Sequence, residues 1–501
     1  EAVDQTRGWF YSLLMVSTLL FDDDTCRNQG LSPRGYPRPY RNCIVLGHVC
    51  DVDGKKESKS KGNYTSPDLV LKGEMKVKVV ADPSLKPGQM GMKAPQVKSL
   101  ALDPAERMRA PDGSPFEVVA RPVKGKDAVH LHPDDAARLG PVVVFRPPFP
   151  APGADAFRWL FCASNPPWNN TRISLKAILE GQREFLFRLR NVHQFMALHA
   201  EGWTPSEPVA THPLDRWVLH EVNTLVQTCT VQLDAYRPFE AARAISAFVD
   251  GLSNWYLRRS RDRFETTDAD GIAARDTLHA VLSVLCRVIA PFVPFTAEAI
   301  YLSIRGSEGP PSVHACDWPE PREAWAAPDL AADMALVREL ASLGLAARAL
   351  VGVRVRQPLS AAEVVLADGK RAAGLGPLLP LLVDELNVKE IRFSTDASRF
   401  VSFTVKPDFR ALGKKLGPDM KACQAALAGM DGGEVRAKVL GGGLALVLPS
   451  REVVLGPDEV IVEVAPLPGF QAAGSAAAVV ALHAELSEDL QRFMVHGGMI
   501  Y

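Results

Sequence analysis

Residues 44–63 read Ile44-Val45-Leu46-Gly47-His48-Val49-Cys50-Asp51-Val52-Asp53-Gly54-Lys55-Lys56-Glu57-Ser58-Lys59-Ser60-Lys61-Gly62-Asn63. The short apolar run Ile44 to Leu46, ending in Gly47-His48, reads as a buried strand. A polar loop with four lysines follows, Lys55, Lys56, Lys59 and Lys61, between Gly54 and Gly62. Glycine lets the backbone turn where a side chain would clash. Lysine ammoniums are mobile point charges suited to phosphates, and the Ser58 and Ser60 hydroxyls add hydrogen-bond donors. A cationic loop at the carboxyl end of a buried strand is where open α/β sheets bind ligands. The same composition also suits a solvated, lysine-rich surface loop.

The order of the residues is more specific than their composition. Lys56-Glu57-Ser58-Lys59-Ser60, followed by Lys61-Gly62-Asn63, resembles the KMSKS signature of class I aminoacyl-tRNA synthetases, with Glu57 at the methionine position. The resemblance implies a loop that closes over ATP, with Lys56, Ser58, Lys59 and Ser60 contacting the nucleotide. Lys56 and Lys59 would be catalytic, stabilising phosphate charge as the aminoacyl-adenylate forms. Glu57 puts a negative charge beside that path and is expected to weaken ATP handling unless it points to solvent.

Upstream, Glu1 to Phe21 places polar residues before a helix apolar on most faces, expected to be buried. On the residues alone, Asp4 suits a helix N-cap as well as a ligand contact. The stretch Glu1-Ala2-Val3-Asp4-Gln5-Thr6-Arg7-Gly8-Trp9-Phe10 is similar to one in the isoleucyl members of the family, with Ala2-Val3 replacing Gly-Ser. That similarity implies that Glu1, Asp4 and Gln5 contact the aminoacyl-adenylate, with His48 against the same pocket. Residues 1–72 would be the second half of a Rossmann-like catalytic domain. No HIGH-like motif occurs, and the chain opens directly in a motif without an initiator methionine. It is therefore expected to be the C-terminal half of such an enzyme, with the N-terminal catalytic half absent.

Downstream, residues 73–150 show short β-like runs, Val77 to Val80, Phe116 to Ala120 and Val142 to Phe145, between Pro- and Gly-rich turns. They read as a β-rich insertion. His130 and His132, two apart, would share one face of a strand. No third ligand is evident, so no metal site is expected. Residues 151–170 return to the catalytic domain through Gly153-Ala154-Asp155-Ala156-Phe157-Arg158, resembling the family's GADALR helix. Asp155 suits the start of that helix through the helix dipole.

Residues 171–325 carry long amphipathic helical patterns with short joins, a bundle. Ser253 to Phe264 interleaves Trp255 and Tyr256 with Arg258, Arg259, Arg261 and Arg263. Arginine beside aromatic rings suits phosphates and splayed bases, while an ion-paired bundle helix fits the same pattern. The stretch resembles one in the isoleucyl enzymes, which implies an anticodon-binding bundle with Trp255 and these arginines on tRNA. Residues 326–501 read as a C-terminal α/β domain. Its Val353-Arg354-Val355-Arg356-Gln357-Pro358-Leu359 resembles a family stretch and is expected to be a basic strand placing Arg354 and Arg356 on the tRNA backbone.

The fold class is thus multidomain α/β and all-α. Lys plus Arg numbers 57 against 58 for Asp plus Glu, so any basic surface must be local. Eight scattered cysteines without a CxxC pair argue against a disulfide framework and against a zinc ribbon, and point to a reducing cytoplasm. Trp9 to Phe21 is shorter than the roughly 20 residues a membrane span needs. The resemblance implies ATP with Mg, isoleucine and isoleucine tRNA as partners, no tightly bound metal, no membrane and a monomer. Two other classes fit the residues: a non-catalytic tRNA-binding module or truncated paralogue, and a helical interaction scaffold that binds no RNA.

Overall fold

The computed structural model describes residues 3–33, 39–58, 61, 63–100, 102–123, 127–306, 309–350, 352–467, 471–475 and 477–482, with only the backbone of Asp4 and Lys414. Residues up to 326 and residues from 327 form two compact units.

In the first unit, a 3-10 turn at Val3–Arg7 leads to helices α1 (Trp9–Leu20) and α2 (Asp23–Asn28). Gly8, not Asp4, occupies the cap position of α1. The helix is not buried as its apolar pattern suggested: Trp9 is 56% exposed and Leu19 73%, and only Ser17 is buried. The pattern marks faces that need a cover, and within this unit those faces are open. Ile44 to Leu46 also departs from expectation, since Ile44 and Leu46 are exposed and the strand β1 begins later, at Val49–Cys50.

Helix α3 (Pro67–Lys72) stops at Gly73, whose left-handed φ of 65° suits glycine. An inserted sheet follows: β2 (Met75–Ala81), β3 (Gln89–Met92), helix α4 (Ala94–Leu100), β4 (Met108–Arg109), β5 (Pro115–Ala120), β6 (Ala128–Leu131), helix α5 (Pro133–Leu139) and β7 (Val142–Phe145). The strand order is β4-β5-β3-β6-β2-β7. Its first and last strands pair antiparallel, Met75 opposite Phe145, so the chain enters and leaves side by side. Met90, Met92, Met108, Phe116, Leu131 and Phe145 fill the core, joined by Leu69 of α3 and by Leu175. The three sequence runs lie in β2, β5 and β7. His130 is in β6, but His132 is the N-cap of α5, so the two do not share a strand face.

Helix α6 (Ala154–Ala163) and strand β8 (Thr171–Arg172) follow, and β8 pairs parallel with β1. The helices that follow are α7 (Leu175–Gly181), α8 (Arg188–Leu198), α9 (Pro213–Asp234), α10 (Pro238–Gly251), α11 (Arg258–Phe264), α12 (Ala269–Ile289) and α13 (Pro294–Ile304). Two π-helical segments, Gln182–Phe187 and Leu252–Leu257, interrupt what read as plain α-helix. Proline in the first turn starts α9, α10 and α13. Trp159 stacks on Phe185 with ring centroids 3.7 Å apart. Asp155 lies in the first turn of α6, as expected, and its Oδ2 also accepts from the amide and hydroxyl of Thr296 (2.6 and 2.7 Å) at the start of α13.

The second unit opens with α14 (Pro328–Leu350), then β9 (Leu359–Leu366), α15 (Leu379–Leu386) and β10 (Val388–Ser394). Strands β9 and β10 are parallel and joined by α15, a βαβ connection. There follow β11 (Val401–Pro407), α16 (Phe409–Leu416), α17 (Met420–Ala428), α18 (Gly432–Leu440), β12 (Leu444–Val447), β13 (Glu452–Leu455), β14 (Val460–Pro466), β15 (Gln471–Gly474) and β16 (Ala478–Leu482). One sheet runs β10-β9-β16-β15, and β11 pairs with β14. Val353 to Pro358 is a turn rather than the expected basic strand. The buried Arg348 (1% exposed) fixes the segment: its guanidinium donates to the carbonyls of Arg354, Gln357, Leu386 and Asn387, at 2.5–3.1 Å. An extended strand would point the Arg354 and Gln357 carbonyls, three residues apart, to opposite sides.

Candidate functional site

The lysine loop leaves β1 as a tight hairpin. Asp51 takes the Lys55 carbonyl on its amide (2.8 Å), and Glu57 donates to the Val49 carbonyl (2.9 Å). Gly54, with φ of 79°, makes the turn. Asp51 is buried, and its carboxylate accepts from the amides of Asp53 (3.0 Å) and Lys55 (2.9 Å) and from Asn63 Nδ2 (2.8 Å). Burial works to raise its pKa, but these donors outweigh it and hold the carboxyl below its ordinary range. Asn63 also donates to the Lys56 carbonyl (3.2 Å) and accepts from the Ser58 amide (3.0 Å). The two side chains close the loop like a clasp at its base.

Lys56 is exposed and Ser58 half-buried on this hairpin. Lys59 and Ser60 lie outside the described residues. Glu57 does not point to solvent: half-buried, its Oε1 accepts from the amide and hydroxyl of Thr65 (3.2 and 3.1 Å). Burial pushes its carboxyl up, against the Thr65 donors. Its charge is therefore turned toward Thr65.

Beside the hairpin, His48 donates its amide to Asn170 Oδ1 (2.8 Å) and its carbonyl accepts from Thr171 (2.9 Å). A Cβ at Gly47 would sit 2.1 Å from the Asn169 carbonyl, so only glycine fits that approach. The Val3 amide donates to the Leu46 carbonyl (3.0 Å), which ties the turn carrying Gln5 to the segment carrying His48 just before β1. Glu1 and the side chain of Asp4 lie outside the described residues.

In the bundle, the residues assigned to tRNA separate into two groups. Trp255 is 7% exposed and packs inward, so it offers no platform for a base. Arg263 is committed as well: Nη1 and Nη2 bind the two oxygens of Asp215 (2.9 and 2.7 Å), and Nε and Nη2 bind Asp270 (both 2.8 Å). Asp215 is fully buried and also accepts from the Tyr256 hydroxyl (2.8 Å), so it requires that guanidinium. Burial opposes the charge on Arg263, yet the two carboxylates raise its pKa further. Arg258 and Arg261 are exposed, and Arg259 is half-buried with its guanidinium 6.0 Å from the Trp255 ring. In the second unit, Arg354 and Arg356 are exposed on the turn that Arg348 holds.

Sequence reading gave no role to Asp51, Asn63, Asp215 or Arg348. For Asp51 a signal existed, because Asp-Val-Asp-Gly is a turn sequence in which aspartate bonds its own following amides. Among the described residues, no group of three His, Cys, Asp or Glu could hold a metal ion, and no helix is long and apolar enough to cross a membrane.

Residues 1–174 match the family model described as tRNA synthetases class I (I, L, M and V), and residues 215–365 match the anticodon-binding domain of tRNA ligase. Isoleucine–tRNA ligase of Clostridium novyi is 33% identical over 504 residues, covering 98% of this chain and 39% of the relative. The Streptomyces coelicolor isoleucine–tRNA ligase is also 33% identical, over 506 residues, with the same shares. Among solved structures, a LeuRS–tRNA–LeuAMS complex from Agrobacterium radiobacter K84 aligns with 65% of this chain and 29% of its own, at 14% identity and a TM-score of 0.38, too loose a likeness to argue from. The chain thus spans about two-fifths of the length of the curated relatives it matches, with its first part similar to class I tRNA synthetases and a later part similar to the anticodon-binding domain of tRNA ligase.

Proposed function

We propose that this chain is part of an isoleucine–tRNA ligase and supplies its KMSKS-type loop and its anticodon-binding bundle. The observation that carries this reading is the Asp51–Asn63 clasp, which presents a lysine loop from the carboxyl end of a strand in a parallel pair. That is the position in which α/β sheets hold phosphates.

In the reaction, the isoleucine carboxylate attacks the α-phosphorus of ATP, carried with Mg, and releases pyrophosphate. A hydroxyl of the terminal ribose of tRNA then attacks the carbonyl of the adenylate and releases AMP. Lys56, Ser58, Lys59 and Ser60 are the residues proposed to bind ATP, and Lys56 and Lys59 to stabilise its transition-state charge. Glu1, Asp4, Gln5 and His48 are the residues proposed to bind the adenylate. Arg258, Arg259 and Arg261 bind tRNA from the bundle, and Arg354 and Arg356 bind it from the second unit. Trp255 and Arg263 support that surface from within.

Helix α1, apolar and open, is the face on which further parts of the same enzyme pack. The chain alone is therefore expected to give negligible ATP–pyrophosphate exchange. Isoleucine-dependent exchange by the protein that contains it, lost on Lys56→Ala, tests the reading. Exchange at a full rate in the Lys56→Ala variant would refute it.

A non-catalytic tRNA-binding module is the second reading. It is favoured by Glu57, which stands at the methionine position and is committed to Thr65. Salt-sensitive tRNA binding without adenylate formation in the whole protein distinguishes it.

A further inference from the structure

Residues 74–150 interrupt the chain directly after the lysine loop and α3, and they fold back onto that loop. Their two ends are adjacent, since the Gly153 amide donates to the Val70 carbonyl (2.9 Å). From this inserted sheet, three residues reach the loop from both sides. Lys98 Nζ lies 2.8 Å from each oxygen of Asp53, just before the lysines. Asp127 Oδ1 accepts from the Tyr64 hydroxyl (2.8 Å), just after them. Ser99 Oγ is 3.2 Å from Thr65 Oγ1. Thr65 gives its own hydroxyl proton to Glu57, so Ser99 is the donor in that contact and the chain of bonds runs Ser99 to Thr65 to Glu57.

These contacts explain a departure from the family pattern. A methionine at position 57 has no strong acceptor for the Thr65 amide and hydroxyl, whereas Glu57 has. The acidic residue inside the loop and Ser99 of the inserted sheet are thus two ends of one connection. Tyr64 keeps its proton at neutral pH: burial and the Asp127 carboxylate push its hydroxyl up to about 12.

We propose that the inserted sheet is a brace for the lysine loop, and that Lys98, Ser99 and Asp127 are positioning residues that set where the loop rests. The consequence for ATP rests on the function proposed above; the brace itself does not.

Hydrogen exchange on the full chain tests it, read at the amides of Lys55, Glu57 and Ser58, with Met90 to Met92 reporting on the inserted sheet. One variant set alters the loop side (Asp53→Asn, Tyr64→Phe, Thr65→Val). The other alters the sheet side (Lys98→Ala, Ser99→Ala, Asp127→Asn). Both sets are expected to speed exchange at the three loop amides by about 10-fold or more, with protection at Met90 to Met92 retained. Unchanged loop exchange in a set whose sheet stays protected overturns the brace. If the sheet-side set loses protection at Met90 to Met92, the loop-side set decides alone. In the protein that contains the chain, the same variants are expected to raise the KM for ATP by about 3- to 10-fold while tRNA affinity stays within about 2-fold. No exchange activity in the unaltered protein would tell against the ATP reading, and the brace would then stand or fall on the amide data.

Discussion

Asp51 and Asn63, twelve residues apart, bond side chain to side chain at 2.8 Å across the base of the lysine loop. Asp51 organises the turn before the lysines, and Asn63 takes up backbone groups of Lys56 and Ser58 within them. Asn63→Ala removes three of these bonds and leaves the Asp51 carboxylate short of a donor in a buried place. The expected local cost is about 1–3 kcal/mol. Faster exchange of the Ser58 amide, with the helical bundle unaffected, is the result to look for.

The same pair gives the loop a pH dependence. The Asp51 carboxyl is held below its ordinary value of 3.8, so the clasp is complete above that value and weakens as pH falls through the lower folded-state value. Protection of the Lys55 amide is expected to be flat from neutral pH down to about 4 and to decline below it. Asp51→Asn should remove that decline and start from weaker protection.

Arg263 and Arg261 are expected to behave as opposites, although they lie two residues apart in one motif. Arg263→Met strands the buried Asp215 and should destabilise the first unit by about 3–5 kcal/mol. Arg261→Ala, at an exposed position, should leave stability within about 0.5 kcal/mol. Its effect should fall on tRNA binding, lowering the slope of log affinity against log salt by about one. Chemical denaturation and a salt series separate the two.

Arg348 meets four carbonyls and, among the described residues, no carboxylate, and burial pulls its pKa below the usual arginine value. Arg348→Met should free the turn that carries Arg354 and Arg356, with a cost of about 2–5 kcal/mol. Exchange at Val388 to Ser394, beside Leu386 and Asn387, reports it. Lys at this position should rescue little, because an ammonium cannot bridge a fan of carbonyls as a planar guanidinium does.

The sequence made the lysine loop legible because its signal is local: a turn sequence, two glycines and a run of charge. The helices of the bundle were legible for the same reason, through their spacing. What sequence could not show was which face of a helix turns inward. Trp255, Arg259 and Arg263 share one face by their spacing of four, and nothing in that spacing distinguishes a nucleic-acid surface from a face whose Arg263 meets a buried Asp215 48 residues upstream. Helix α1 failed in the other sense. Its pattern reports apolar faces correctly, but whether anything covers them depends on elements far from it. The ladder begins at Val49 rather than within Ile44 to Leu46, because three apolar residues cannot fix where it starts, which here depends on Asn169, Asn170 and Thr171.

Binding of the chain to isoleucine tRNA and to valine tRNA at two salt concentrations tests most directly the proposal that it carries the recognition half of an isoleucine–tRNA ligase. The expected result is a preference for isoleucine tRNA that persists at the higher salt, because base contacts survive where phosphate contacts weaken. Equal affinity for both tRNAs that vanishes together at the higher salt, or no binding to either, would contradict it.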